Sequence, residues 1–271
     1  EQGELRFIFE KIEIPLSTIL AEMEERGVAI DRGFLRKLGK MVSKKIEDTT
    51  GEIYALSGEE FNINSSQQLS QILFEKLGLK PYGLRKTEKG GVVSTRESEL
   101  EKLRSEHPIV AKVLDYRELA KLKSTYIEAL PALVDEKTGR LHTTFNQTGT
   151  ATGRLSSLNP NLQNIPIMSE IGREIRKAFV AKSGFVLASF DYSQIELRVA
   201  AHLANDRKMI EAFKRGLDIH KMTAAEIYNV PLEQVTPELR RAAKTLNFGV
   251  LYGMGPQAFA ESTGVAREQA K

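Results

Sequence analysis

Arg240, Lys244, Phe248 and Tyr252 stand four residues apart in the run Thr236-Pro-Glu-Leu-Arg-Arg-Ala-Ala-Lys-Thr-Leu-Asn-Phe-Gly-Val-Leu-Tyr-Gly253. On a helix the row drifts only about 40° per step, so all four side chains share one broad face, cationic at one end and aromatic at the other. Thr236 suits an N-cap, Pro237 the first helical position and Gly253 a stop. Arg240, Arg241 and Lys244 then fall in the first two turns, where positive charge opposes the helix dipole at about a few tenths of a kcal/mol each. An anion is expected there. A nucleoside triphosphate fits the row, its phosphates on the arginine and lysine and its base toward the rings. An amphipathic helix with two buried rings and snorkelling cations fits the same spacing.

A second run carries oxygen chemistry. Phe185-Val-Leu-Ala-Ser-Phe190 has strand length and apolar content, and it ends in Asp191-Tyr-Ser-Gln-Ile-Glu-Leu-Arg198, which turns helical through Val199, Ala200 and Leu203. A carboxylate on rigid backbone at a strand end suits a divalent ion that aligns a hydroxyl with a phosphate. Alternatively, Asp191 merely ends the strand while Ser193 and Glu196 form a capping box for the helix.

Asp191 to Arg198 and the Arg-x3-Lys-x3-Phe-x3-Tyr-Gly pattern together resemble motifs A and B of family A DNA polymerases, the bacterial DNA polymerase I kind. Thr150-Ala-Thr-Gly-Arg-Leu-Ser-Ser157 and Asn159-Pro-Asn-Leu-Gln-Asn-Ile-Pro166 are similar to the family's palm segment after the thumb, and Gly216-Leu-Asp-Ile-His220 to the start of its fingers. The resemblance implies template-directed DNA synthesis with two Mg2+ ions, on primer-template DNA and deoxynucleoside triphosphates, in a cytoplasmic setting. By position it makes Asp191 and the Tyr192 carbonyl the metal contacts and Glu196 the gate against a ribose 2′-hydroxyl. Gln194, His220, Arg240, Lys244, Phe248 and Tyr252 fall to the incoming nucleotide. Arg154, Asn161, Gln163 and Asn164 fall to the minor groove, where amide and guanidinium donors can engage acceptors without reading sequence. Arg117 and Lys121 fall to the primer side of the duplex.

The chain departs from the family at Met168, where many members carry a basic residue. Motif C, a His-Asp-Glu hairpin with the second metal-binding aspartate, lies downstream of motif B in the family, and no such triplet occurs in these 271 residues. The expectation is an incomplete polymerase domain, an excised piece or one half of a split polymerase, inactive without a C-terminal polymerase segment. A non-catalytic DNA-binding fragment is the runner-up; a single-subunit RNA polymerase is disfavoured by the gate carboxylate.

The elements that must position these residues are mostly helical. Ile14, Leu16, Ile19, Leu20 and Met23 mark a helix ending at Gly27; Asp31 caps a longer one through Phe34, Leu38, Val42 and Ile46; Asn64 or Ser65 begins another that ends near Gly78. Arg36, Lys37, Lys40, Lys44 and Lys45 form a solvated basic face, and the basic loop from Lys80 to Gly91 resembles a thumb tip. Asp135-Glu-Lys-Thr-Gly139 reads as a turn into a strand over Arg140–Phe145. The expected fold is α+β, with a helical thumb, a partial antiparallel palm sheet and the beginning of helical fingers of a right-hand polymerase. The resemblance divides it into a lead-in at 1–31, thumb at 32–132, palm at 133–204 and fingers at 205–271. Hydrophobic content of 41%, charged content of 28% and a net charge of +3 allow a substantial core and ask for local rather than global basicity. The absence of cysteine excludes disulfides and thiolate metal sites. No apolar run reaches membrane-spanning length.

Overall fold

In the computed structural model, residues 2–80, 93–167, 169–263 and 267–270 are described. Met168 and nearly all of the basic loop therefore lie outside the described residues. The chain divides into two units, residues 1–187 and 188–271.

The first unit is organised by one long helix, Arg32–Ser57, about 39 Å at 1.5 Å per residue. Its start is as the sequence implies, with Asp31 Oδ1 accepting from the Phe34 N–H at 2.8 Å, and its stop is Gly58 in the left-handed region. One end packs Leu35, Leu38 and Val42 against Leu122, Tyr126, Ile127 and Leu130. The other packs Ile53 against Leu69, Leu73, Leu100, Ile109 and Val113. Two apolar cores on one rod separate a sheet-proximal half from an all-helical half.

The sheet itself is small. Val28–Ile30 is the centre of three antiparallel strands, flanked by Arg140–Leu141 and Phe179–Val180, and Thr144–Asn146 pairs antiparallel with Ser156–Leu158. The expected Arg140–Phe145 strand is therefore two strands. It is interrupted where His142 Nδ1 meets Glu24 O at 2.8 Å and Thr143 Oγ1 donates to Pro160 O at 2.9 Å, side-chain bonds that turn the backbone between two pairing partners. The Ile14–Arg26 helix ends at Gly27 as expected, and Ser65 caps the Ser66–Ser70 helix.

The second unit is helical: Ile195–Leu203, Arg207–Lys214, Ile219–Ile227 and Pro237–Leu251, followed by Pro256–Thr263. Its core is Leu197, Ala212 and Ile219, joined by Met209, Phe213, Met222 and Phe248. The strand expected over 185–190 does not form. Phe185, Val186, Leu187 and Phe190 belong to no helix or strand and are 61–95% exposed, because no strand among the described residues pairs with them. Among the described residues no helix is long and apolar enough to cross a membrane.

Candidate functional site

The cationic and aromatic row lies on the Pro237–Leu251 helix. Thr236 Oγ1 accepts from the Leu239 N–H at 3.3 Å and Pro237 occupies the first turn, so the polarity read from the sequence holds. Arg240 donates from Nε to Asp218 Oδ2 at 2.6 Å, while Asp218 Oδ1 caps the Ile219–Ile227 helix through the Lys221 N–H at 3.1 Å. One carboxylate thus ties two helices. Burial works to raise the Asp218 pKa, but the Arg240 bond and the Lys221 N–H prevail and hold it below the usual range.

His220 is buried, with Nδ1 3.0 Å from Asn247 Nδ2. The amide nitrogen can only donate, so Nδ1 accepts from it and the neutral ring carries its proton on Nε2. Burial lowers the His220 pKa; Asp218 opposes this, while Arg240 and Lys244 add to it. The ring lies 5.7 Å from that of Phe248 at 47°. Lys244 is exposed, and Tyr252 sits at the helix C-cap, exposed.

Asp191 and Tyr192 are both exposed and precede the Ile195–Leu203 helix. Its N-cap is Gln194 at φ +54°, without a side-chain cap bond, so the Ser193–Glu196 capping box does not form. Gln194 Oε1 is buried with no hydrogen-bond partner among the described residues, and Glu196 is half-buried. Leu197 packs in the same cluster as Phe248, which brings the two helices of the proposed motifs to one core. For magnesium, the Asp191 carboxylate and Tyr192 carbonyl are an oxygen-only donor pair that suits a hard ion keeping several waters. Among the described residues no group of three or more His, Cys, Asp or Glu gathers to complete such a site.

In the first unit, Arg117, Lys121, Asn161 and Asn164 line one cleft of about 760 Å³ together with Arg104 and the carboxylates of Glu97, Glu101, Asp115 and Glu118. Arg154 and Gln163 lie outside that lining. The Asn/Gln loop is built from within: Thr143 and Ser157 hydroxyls bond each other at 2.6 Å, Ser157 Oγ accepts from the Leu162 N–H at 3.0 Å, Gln163 Nε2 donates to Leu155 O at 3.1 Å and the Tyr126 hydroxyl donates to Asn164 O at 2.5 Å. That leaves the Asn164 amide, on an exposed residue, free of the backbone's role. Arg117 is half-buried and donates to the Thr95 carbonyl and hydroxyl, with burial lowering its pKa. It therefore braces its own unit in this structure.

Sequence reasoning assigned no role to Asp218 or Asn247. Asp218 carried a signal, since an aspartate before a helix uses one oxygen to cap and keeps the other for a cation. Asn247 carried none, because its partner is 27 residues away.

A family model described as DNA polymerase family A matches residues 32–271. The chain is 52% identical, over all of its length, to "DNA polymerase I, thermostable" of Thermus aquaticus, and 49% identical over 98% of its length to DNA polymerase I of Chloroflexus aurantiacus. It spans 32% and 28% of those two relatives. Among solved structures, the POL domain of Pol1 from M. smegmatis in complex with DNA primer-template and dNTP superposes with a TM-score of 0.85 at 40% identity, covering 97% of this chain and 46% of that one.

Proposed function

The chain belongs to DNA polymerase family A, and from that premise we propose that it is the thumb, part of the palm and the beginning of the fingers of a DNA-directed DNA polymerase, competent to bind primer-template and triphosphate. The observation that carries the reading is the shared core of Leu197 and Phe248, which puts the Asp191–Glu196 segment and the Arg240–Lys244 row on elements of one unit. Arg240 and Lys244 neutralise charge developing on the triphosphate, and Arg240 exchanges its partner Asp218 for a phosphate oxygen. Glu196, half-buried at the first turn of its helix, occupies space beside the sugar and rejects ribose. Phe248 supports the base pair from its place on the core, with Tyr252 at the helix end, and Gln194 belongs to the nucleotide contacts from the N-cap of the Ile195–Leu203 helix. When bound, two magnesium ions would align the primer 3′-hydroxyl with the α-phosphate, and Asp191 with the Tyr192 carbonyl would be this chain's share of their ligands. In the duplex-facing unit, Arg154, Asn161, Gln163 and Asn164 supply donors to the minor groove and Lys121 a phosphate contact.

A single carboxylate does not hold two ions. The chain alone is therefore expected to bind primer-template and not extend it, and the partner it lacks is a segment carrying a second aspartate. The exposed, unpaired Phe185–Phe190 run supports this, since it has the composition of a strand awaiting neighbours. Anisotropy with labelled primer-template, beside a magnesium-dependent extension assay, tests both halves. Extension by the purified 271 residues would overturn the incomplete-site reading. In a completed enzyme Asp191→Ala is expected to slow the chemical step by several orders of magnitude, and a loss under about tenfold would remove Asp191 from the metal site.

A further inference from the structure

Arg32, Arg36, Lys40 and Lys44 are all exposed on the Arg32–Ser57 helix, and each stands four residues from the next. Such a row advances about 6 Å per step and spans about 18 Å. Like charges at this spacing repel, and a helix whose first turn holds no acid gains nothing from cations there. Several exposed cations elsewhere are instead neutralised within one helical turn: Arg6 pairs with Glu10, Lys102 with Glu99, Arg104 with Glu101, Lys177 with Glu174 and Arg215 with Glu211. Arg36, Lys40 and Lys44 have no ion-pair partner among the described residues, and Arg32 donates only to the Val134 carbonyl, at 3.2 Å.

The row is also one wall of a groove of about 850 Å³. The opposite wall includes Lys123, which is paired with Glu128 at 2.6 Å. The floor is apolar and tight: Leu35 and Ile127 are buried, and a Cβ on Gly39 would stand 3.1 Å from Ile127 Cγ2. Gly39 thus lets the walls close on a narrow base. The described lining contains no aromatic ring and no Asn or Gln, so it offers neither a platform for stacking bases nor an amide for base edges. What it offers is charge in a line.

We propose that this groove is a second nucleic-acid contact, distinct from the Arg154–Asn164 loop, that takes the phosphate backbone of duplex DNA without reading sequence. It rests on the reading of the chain as part of a DNA polymerase. Phosphates relieve the repulsion along the row and meet the positive end of the helix at Arg32, while Glu47 at the far end of the lining limits the footprint. Single strands are disfavoured for want of a stacking surface, and the contact belongs to the class whose affinity falls steeply with salt.

The test is anisotropy of the 271-residue chain on a blunt mixed-sequence duplex across a series of salt concentrations. It compares wild type, a row triple (Arg36→Gln, Lys40→Gln, Lys44→Gln) and a control triple of ion-paired lysines (Lys102→Gln, Lys177→Gln, Lys208→Gln). Glutamine keeps helix propensity and circular dichroism checks the fold. Each lost phosphate contact lowers the slope of log affinity against log salt by about 0.9. The row triple is expected to lower it by about 2 to 3 and weaken low-salt binding at least about tenfold, equally on two unrelated duplex sequences, while the control stays within about one unit of wild type. An unchanged row triple, or equal losses in both triples, overturns the groove and leaves the polymerase reading standing. A wild-type chain without affinity for DNA sinks both.

Discussion

Asp218 holds Arg240 through one oxygen and a helix N-terminus through the other, so the arginine expected to meet a triphosphate is already engaged. Both partners are partly solvated, and the pair contributes at most about 1 kcal/mol to stability. Its consequence is for binding, since an anion must displace a carboxylate before it gains the guanidinium. In a completed enzyme, Arg240→Ala and Lys244→Ala are expected to weaken nucleotide use by about 2 to 4 kcal/mol in kcat/KM with little change in duplex affinity. Poor duplex binding with normal nucleotide use would make the row a duplex face. His220 gives a pH signature. Its folded pKa lies below 6.5, so the unfolded chain binds more protons in the window beneath that value, and stability present above about 6.5 is lost as pH falls through the folded pKa. Denaturant titrations of the second unit are expected to show unfolding free energy declining below about pH 6.5 in wild type, with the slope reduced in His220→Asn. An identical slope in the two would place the acid sensitivity elsewhere.

At the scale of elements, chain reversals separate legible from illegible features. Gly27 has φ +58°, and a Cβ there would stand 2.4 Å from Leu141 O and 2.8 Å from the His142 ring. Gly51 sits inside the Arg32–Ser57 helix with nothing within 4 Å of the same position. Gly27→Ala is expected to destabilise the first unit by about 2 kcal/mol or more, through backbone strain and collision together, and Gly51→Ala to stabilise it by about 0.5 to 1 kcal/mol. Melting both variants tests this, and a harmless Gly27→Ala would mean that the sheet edge can yield. The caps at Asp31, Ser65, Thr236 and the Gly27 stop were legible because they are set by two to four adjacent residues. The 185–190 run has the composition of a strand and forms none for the complementary reason: composition announces that a segment can pair, whereas pairing needs a partner remote in sequence. The break at His142–Thr143 was equally invisible, being made by Glu24 and Pro160, which no local pattern links to it. Nothing in the sequence marked the π-helical turns at Phe9–Glu13, Gln71–Lys76 and Lys123–Glu128.

For the whole molecule, the division between residues 187 and 188 falls inside the stretch that family resemblance assigns to the palm. The family and the outline of helices and small antiparallel sheets were legible from a few motifs, while the partition into units depends on which segments find partners. Limited chymotrypsin digestion is expected to cut first after Phe185, Leu187 or Phe190, releasing two fragments that match the units by mass. First cuts within 195–251 would contradict it. The same run has a consequence for handling the protein. An unpaired, wet stretch of Phe, Val and Leu is a template on which another copy's identical stretch can add. Such self-addition grows with concentration, and in a parallel arrangement the flanking Lys182 and Asp191 each face their own kind and oppose it. Salt screens that repulsion, and salting-out anions such as sulfate strengthen apolar burial, so concentrated chain is expected to cloud first in the high-salt buffers ordinarily chosen to strip nucleic acid from a DNA-binding protein.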